Sequence, residues 1–388
     1  MSTQNRITLS AAAVAAVMLA TGCSAGSGSA GSTDAATLEI GSIDLSASCP
    51  ETVVVQTDWN PESEHGHLYE LLGDDPEIDA EAKSVRGPLL ASGGYTGIDL
   101  EVRAGGPAIG FQPVTAQLYQ DTSITLGYVS TDEALQSSAD LPTTAVFAPL
   151  DRSPLMIMWD PETYPEVTTV DELADEGAII RYYGGSAYMA YLVGAGIVPE
   201  EQADGGFDGT PANFVAAGGA DAQQGFATSD PYIYSEEIAD WGREIDYQLI
   251  DDLGFPYYQA AMAVRSGELD QLTPCLEQLV PVLQQGQVDF VADSAATNEL
   301  IVRLVDEYDT GWVYAAESAE YATASMVDLG LVSNGEDTTI GDFDPARVSE
   351  VMDAVGPVFE ENGTPLADGL TPDDIVTNEF IDETIGLP

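Results

Sequence analysis

The densest group of chemically able side chains is Asp58-Trp59-Asn60-Pro61, followed by His65, His67 and Tyr69. A carboxylate, an indole, an imidazole and a phenol at one strand-to-helix junction suit a flat, nitrogen-rich, partly cationic ligand. The ring would stack on Trp59, and Asp58 would accept hydrogen bonds from amino or ring N–H groups. The plainer alternative makes Trp59 core and Asp58 a helix cap. His65 and His67 are two residues apart, which on a helix turns them to nearly opposite sides. Together they would hold one metal ion only from extended backbone, so no metal is expected.

Weaker groups recur at other junctions. Tyr182-Tyr183-Gly184-Gly185-Ser186 reads as a strand, a small-residue turn and a helix start, whose backbone N–H groups can cradle an oxygen. No Lys follows, so it is not a phosphate loop of the Walker type. Ser130-Thr131 offers hydroxyls, Asp230 and Tyr232 a third edge, and Tyr257-Tyr258 a hinge-side aromatic pair. Singly these are weak; together they can converge on one cleft. Catalytic signatures are scarce. Both histidines lie in one segment and no G-x-S-x-G elbow occurs, so no catalytic residue and no cofactor is expected.

Elements that position these groups follow from the pattern of apolar residues. Strands are expected at 52–56, 98–103, 124–129, 144–147, 155–159, 179–183 and 259–264, and 221–227 leads to a turn at Ser229-Asp230-Pro231. Helices are expected at 63–72, 111–119, 131–138, 169–174 and around 188–193. Thr169 and Glu172 have the spacing of a capping box. After Thr273 the chain turns mainly helical, with Leu276, Leu279, Val280 and Leu283 on one face and a kink expected at Pro281. Asp344-Pro345 and Thr371-Pro372 are further helix starts. Alternating strands and helices imply an α/β fold with mostly parallel sheets.

Composition narrows the partners. Among 388 residues, 66 acidic groups face 10 basic ones, a formal net charge of −56. That excludes nucleic acid, which needs clustered Lys and Arg, and electrostatic adhesion to anionic lipid. The hydrophobic fraction of 44% excludes a disordered acidic tail. Arg6 precedes an apolar run, Leu9 to Ala20, that is too short to span a bilayer and reads as a secretion signal. It ends in Ala20-Thr21-Gly22-Cys23, which resembles a lipobox. Residues 1–22 are therefore expected to be removed and Cys23 lipidated, holding the protein outside the cytoplasm on the cell membrane. Residues 23–48 are expected to form a tether. Cys49 and Cys275 remain, and an oxidising compartment favours a bridge between them.

The stretch from Val53 to Tyr69 resembles the opening of the thiamine-pyrimidine/nitrate/alkanesulfonate substrate-binding family. Asp58, Trp59, Pro61, His65 and Tyr69 fit its pattern: an aspartate-tryptophan, a proline two residues on, then a histidine and a tyrosine four apart. Gly127 to Thr131, Ser153-Pro154-Leu155 and Leu370 to Asp382 resemble it too. The resemblance implies a two-lobed periplasmic-binding-protein fold of the second topological type. Lobe 1 would comprise 50–153 and 257–388, and lobe 2 would comprise 154–256, with a ligand cleft between them and two crossover segments as the hinge. It further implies a monomer that delivers a small molecule to ABC permease subunits. The aspartate-tryptophan opening leans toward a pyrimidine precursor of thiamine. Binding of nitrate, sulfonate or another small anion is the alternative, as is a sensor without transport. Arg103, Arg152 and Arg181 are the arginines nearest the expected strand ends. Pyrimidine synthases of the same family carry a cysteine-rich iron motif, and no cysteine cluster occurs here. The segments Asp74–Ser92 and Asp204–Thr210 depart from the family pattern.

Overall fold

Apolar, β-branched runs build the centre of the molecule. The computed structural model describes residues 38–388 except 74 and 336. The expected signal peptide, 1–22, and the lipidation at Cys23 lie outside the described residues. The strands are β1 Thr52–Gln56, β2 Glu77–Asp79, β3 Ser84–Ala91, β4 Gly94–Arg103, β5 Leu126–Tyr128, β6 Thr143–Phe147, β7 Leu155–Trp159, β8 Ile180–Arg181, β9 Ala203–Asp204, β10 Ala222–Phe226, β11 Asp246–Leu249 and β12 Met262–Arg265. They form two sheets, ordered β2-β3-β4-β1-β5-β12-β6 and β11-β7-β10-β8-β9. Strand β1 runs parallel to β4 and β5, and Val53, Val54 and Val55 are buried, as a strand covered on both faces requires.

The chain leaves the first sheet after β6, builds the second sheet, and returns as β12, antiparallel to both β5 and β6. Two crossings therefore join the two halves. This is a two-lobed periplasmic-binding-protein fold of the second topological type. Both sheets are mixed rather than mostly parallel, because β12, β7 and β11 run against their neighbours.

The helices that matter for the site are α1 Gly66–Glu70, α2 Val114–Gln120, α3 Thr131–Gln136, α4 Val170–Asp175, α5 Ala187–Gly194, α6 Ala212–Ala216, α7 Asp230–Tyr232 and α8 Leu269–Ala292. Helix α8 runs unbroken for 24 residues with Pro274 and Pro281 inside it. Its buried stripe of Leu276, Leu279, Val280 and Leu283 is held in the core, and that packing outweighs the lost backbone bond. Gly66 lets α1 approach α8: an added Cβ would stand 2.2 Å from the Phe290 ring. At the expected box Thr169 is the N-cap, but its side chain makes no capping bond. Thr168 donates through its backbone N–H and its hydroxyl to Glu172, both at 2.9 Å.

Two further segments pack against the first sheet. Residues 77–91, within the stretch that departs from the family pattern, contain β2 and β3, an antiparallel addition to its edge. The end of the expected tether also belongs to the folded body. Gly41 and Leu45 donate backbone hydrogen bonds to Tyr95 and Thr96 at 2.7 and 2.8 Å, and the Leu45 side chain is fully buried. Cys49 and Cys275 form a disulfide with a Cα separation of 4.6 Å, tying this segment to α8.

Candidate functional site

A cavity of about 650 Å³ lies between the two sheets. Its near wall begins where β1 ends. There the Asp58 and Trp59 carbonyls accept the backbone N–H groups of Gly106 and Gly105 at 2.9 and 2.8 Å. Only glycine fits at these two positions. A Cβ on Gly105 would stand 2.2 Å from the Thr57 carbonyl oxygen, and one on Gly106, at φ +54°, would stand 2.8 Å from the Trp59 ring. The indole thus rests on bare backbone. Trp312 meets it edge-on at 6.1 Å, and Phe111 flanks it at 5.9 Å.

The turn then enters α1. Ser63 is fixed by Tyr314, whose hydroxyl lies 2.9 Å from its oxygen, and by Asn298 at 3.1 Å. This places Glu62, Glu64 and His65 on the cavity wall. His65 Nε2 lies 2.9 Å from Asp58 Oδ1. His67 takes the other side of the helix, as its spacing requires, and is fully buried beside Tyr128 and Met262. Burial lowers its pKa to about 3, so it stays neutral. Among the described residues no group of three or more His, Cys, Asp or Glu is placed to hold a metal ion.

The far wall comes from the second sheet. Gln223 and Gln224 on β10, Asp230 at the start of α7, and Ser186 before α5 line it, with the rings of Tyr183, Tyr188 and Phe207. Gln224 Oε1 accepts the Tyr188 hydroxyl at 2.8 Å and the Tyr183 N–H at 3.0 Å. Burial raises Asp230 to about 6, against a 2.6 Å bond from the Phe226 N–H. Burial also raises Asp132 and Glu64, and Glu62 well above the ordinary carboxylate range, with Glu64 and Asp58 adding repulsion at Glu62. The two halves touch beside the cavity. Thr228 donates to Glu64, Ser318 donates to Glu237 at 2.6 Å, and the Tyr232 and Tyr321 rings lie 5.6 Å apart.

Of the residues expected at the site, Asp58, Trp59, His65, Ser130, Ser186 and Asp230 are brought together around this cavity. The others stand elsewhere. Tyr69 lies in the hydrophobic core, on the core side of α1. Thr131 is buried, its hydroxyl oxygen accepting the Tyr258 N–H at 3.1 Å. Tyr182 packs edge-on against Tyr188. Gly184 and Gly185 turn beside a neighbouring loop, where an added Cβ on Gly184 would stand 3.0 Å from the Gly205 carbonyl oxygen. Tyr232 sits outside, against Tyr321. Arg103, Arg152 and Arg181 are each tied to acidic side chains by ion pairs, and among the described residues no lysine or arginine lines the cavity. Sequence reasoning missed Glu62, Glu64, Asp132, Gln223 and Trp312. The first two carried a signal, being acids on the turn of the Asp58–His65 group. Trp312 carried none, because it arrives from a distant loop.

No family model matches the chain, and no curated protein matches it. Solved structures do. The periplasmic aliphatic sulphonate-binding protein SsuA of Escherichia coli aligns with a TM-score of 0.51 and 15% identity over 82% of this chain and 89% of its own. The periplasmic nitrate-binding protein NrtA of Synechocystis aligns with a TM-score of 0.51 and 12% identity over 85% of this chain and 87% of its own. A ligand-binding component of an ABC-type import system from Staphylococcus aureus, with zinc bound, aligns with a TM-score of 0.50 and 13% identity over 84% and 97%. At these identities the likeness is one of fold.

Proposed function

We propose that this chain is a solute-binding protein of an ABC importer, held outside the cytoplasm by lipid on Cys23 after removal of 1–22. Residues 50–153 and 257–388 act as one lobe and 154–256 as the other, closing on the ligand as a monomer and presenting it to permease subunits. The ligand is a small heteroaromatic, with a pyrimidine precursor of thiamine the best match to the site. One observation carries this reading: an interlobe cavity walled by indole and phenol rings and by hydrogen-bond acceptors, with no lysine or arginine among its described lining residues. A bound nitrate or sulfonate would lie among carboxylates without a cationic partner, which disfavours the anion alternative although two of the similar folds are described as binding such anions.

A thermal-shift screen of the purified protein over pyrimidines, flavins, nitrate, bicarbonate and sulfonates tests the reading. A ligand present at a hundred times its Kd stabilises the fold by about 2.7 kcal/mol. A pyrimidine is expected to raise the melting temperature by a few degrees and the anions to leave it unchanged. A rise with nitrate or sulfonate alone would overturn the ligand class.

A further inference from the structure

Two almost fully buried side chains on the cavity wall each carry one polar atom without a partner among the described residues, and they come from opposite halves. Gln223, 2% exposed, donates its amide to the Tyr234 hydroxyl at 3.0 Å, while its Oε1 accepts from nothing. His65, 1% exposed, uses Nε2 on Asp58, while its Nδ1 is unpaired. The Asp58 bond needs a proton on Nε2; Nδ1 then offers a lone pair in the neutral imidazole and an N–H in the imidazolium. The Gln223 oxygen is an acceptor. A buried acceptor without a donor is costly, so the occupant of this space should bring an N–H or O–H group to Gln223 on the far wall.

Asp58, Glu62 and Glu64 crowd one turn and helix start, close enough that each repels a neighbour. The Glu62 carboxylate accepts no hydrogen bond among the described residues, and the half-buried Asp132 and Asp230 add further acid. A high content of acids explains carboxylates on a solvated surface. It does not explain half-buried acids gathered around one cavity with an unpaired buried acceptor, where desolvation without a counter-charge is unfavourable. An indole face attracts a cation, and both Trp59 and Trp312 line the cavity.

We propose that the ligand is an organic cation: a nitrogen-rich aromatic whose ammonium or protonated amine seats among Asp58, Glu62 and Glu64 while an N–H group donates to Gln223. This rests on the reading of the chain as a solute-binding protein and specifies the charge of its solute. The test uses isothermal titration of the purified protein at neutral pH with three aminopyrimidines that differ only at one ring carbon. One bears an aminomethyl group, charged as ammonium; one bears a neutral hydroxymethyl; one bears a carboxylate. A charge-assisted bond is worth about 1.5–3 kcal/mol, so the ammonium probe should bind at least about tenfold tighter than the hydroxymethyl probe. The carboxylate probe should not bind. Equal or tighter binding of the neutral or anionic probe would overturn the cation and leave the importer reading standing. Binding of none of the three would overturn both. The variant Glu62→Gln should weaken the ammonium probe about tenfold more than it weakens the hydroxymethyl probe. An equal loss for both probes would show Glu62 to be merely structural and overturn the seat.

Discussion

Glu133 shows how burial sets the chemistry of a single acid near this cavity. It stands on α3, accepts the Thr115 N–H at 2.8 Å, and is raised by burial to about 7. The folded chain therefore takes up this proton before the unfolded chain does, so stability rises as pH falls from about 7 toward 4.5. His67 acts in the opposite sense. Below its ordinary 6.5, the unfolded chain accepts a proton that the folded one, with a pKa of about 3, refuses. Urea unfolding of wild type and Glu133→Gln across this range should separate the two. The variant is expected to be the more stable at pH 8 and to lose up to about 1.4 kcal/mol per pH unit of the acid-side gain. Parallel profiles would contradict the assignment.

At the scale of elements, the segment before β1 depends on its covalent tie to α8. Replacing both cysteines, Cys49→Ser with Cys275→Ser, should cost about 3–5 kcal/mol, because the bridge closes a loop of 226 residues. Guanidinium denaturation measures it, and an unchanged midpoint would remove the tie from the account. The parts of this architecture that were legible in the sequence are those with local causes. β1, β6 and β7 announce themselves as buried apolar runs, and the Asp58-Trp59…His65 group lies within one turn-and-helix start. Strands β2 and β3 were not legible, because charged residues and Pro88 mask an edge strand whose partner, β4, supplies the order. The unbroken α8 defeated its prolines through tertiary packing that no local rule contains. Gln223 and Trp312 joined the site unseen for a similar reason: their neighbours are far away in the chain. Tyr69 fitted a motif and still turned inward, since only the packing of α1 on α8 decides which side of that helix meets the cavity.

The whole molecule is two sheet-centred halves joined by two crossings, touching through Glu64–Thr228 and Glu237–Ser318 around the space they enclose. Ligand contacts from both halves would favour this closed arrangement over any open one by their difference in binding free energy. Trp59 is the natural reporter, because it lies on the wall, rests on Gly106 and faces a second indole. The most direct measurement is isothermal titration of the ammonium-bearing aminopyrimidine into the wild-type protein and into Trp59→Ala. Stacking is worth about 1–3 kcal/mol per ring, so the account predicts measurable binding to the wild type and a loss of about tenfold or more in the variant. Binding of equal strength to both proteins would contradict it.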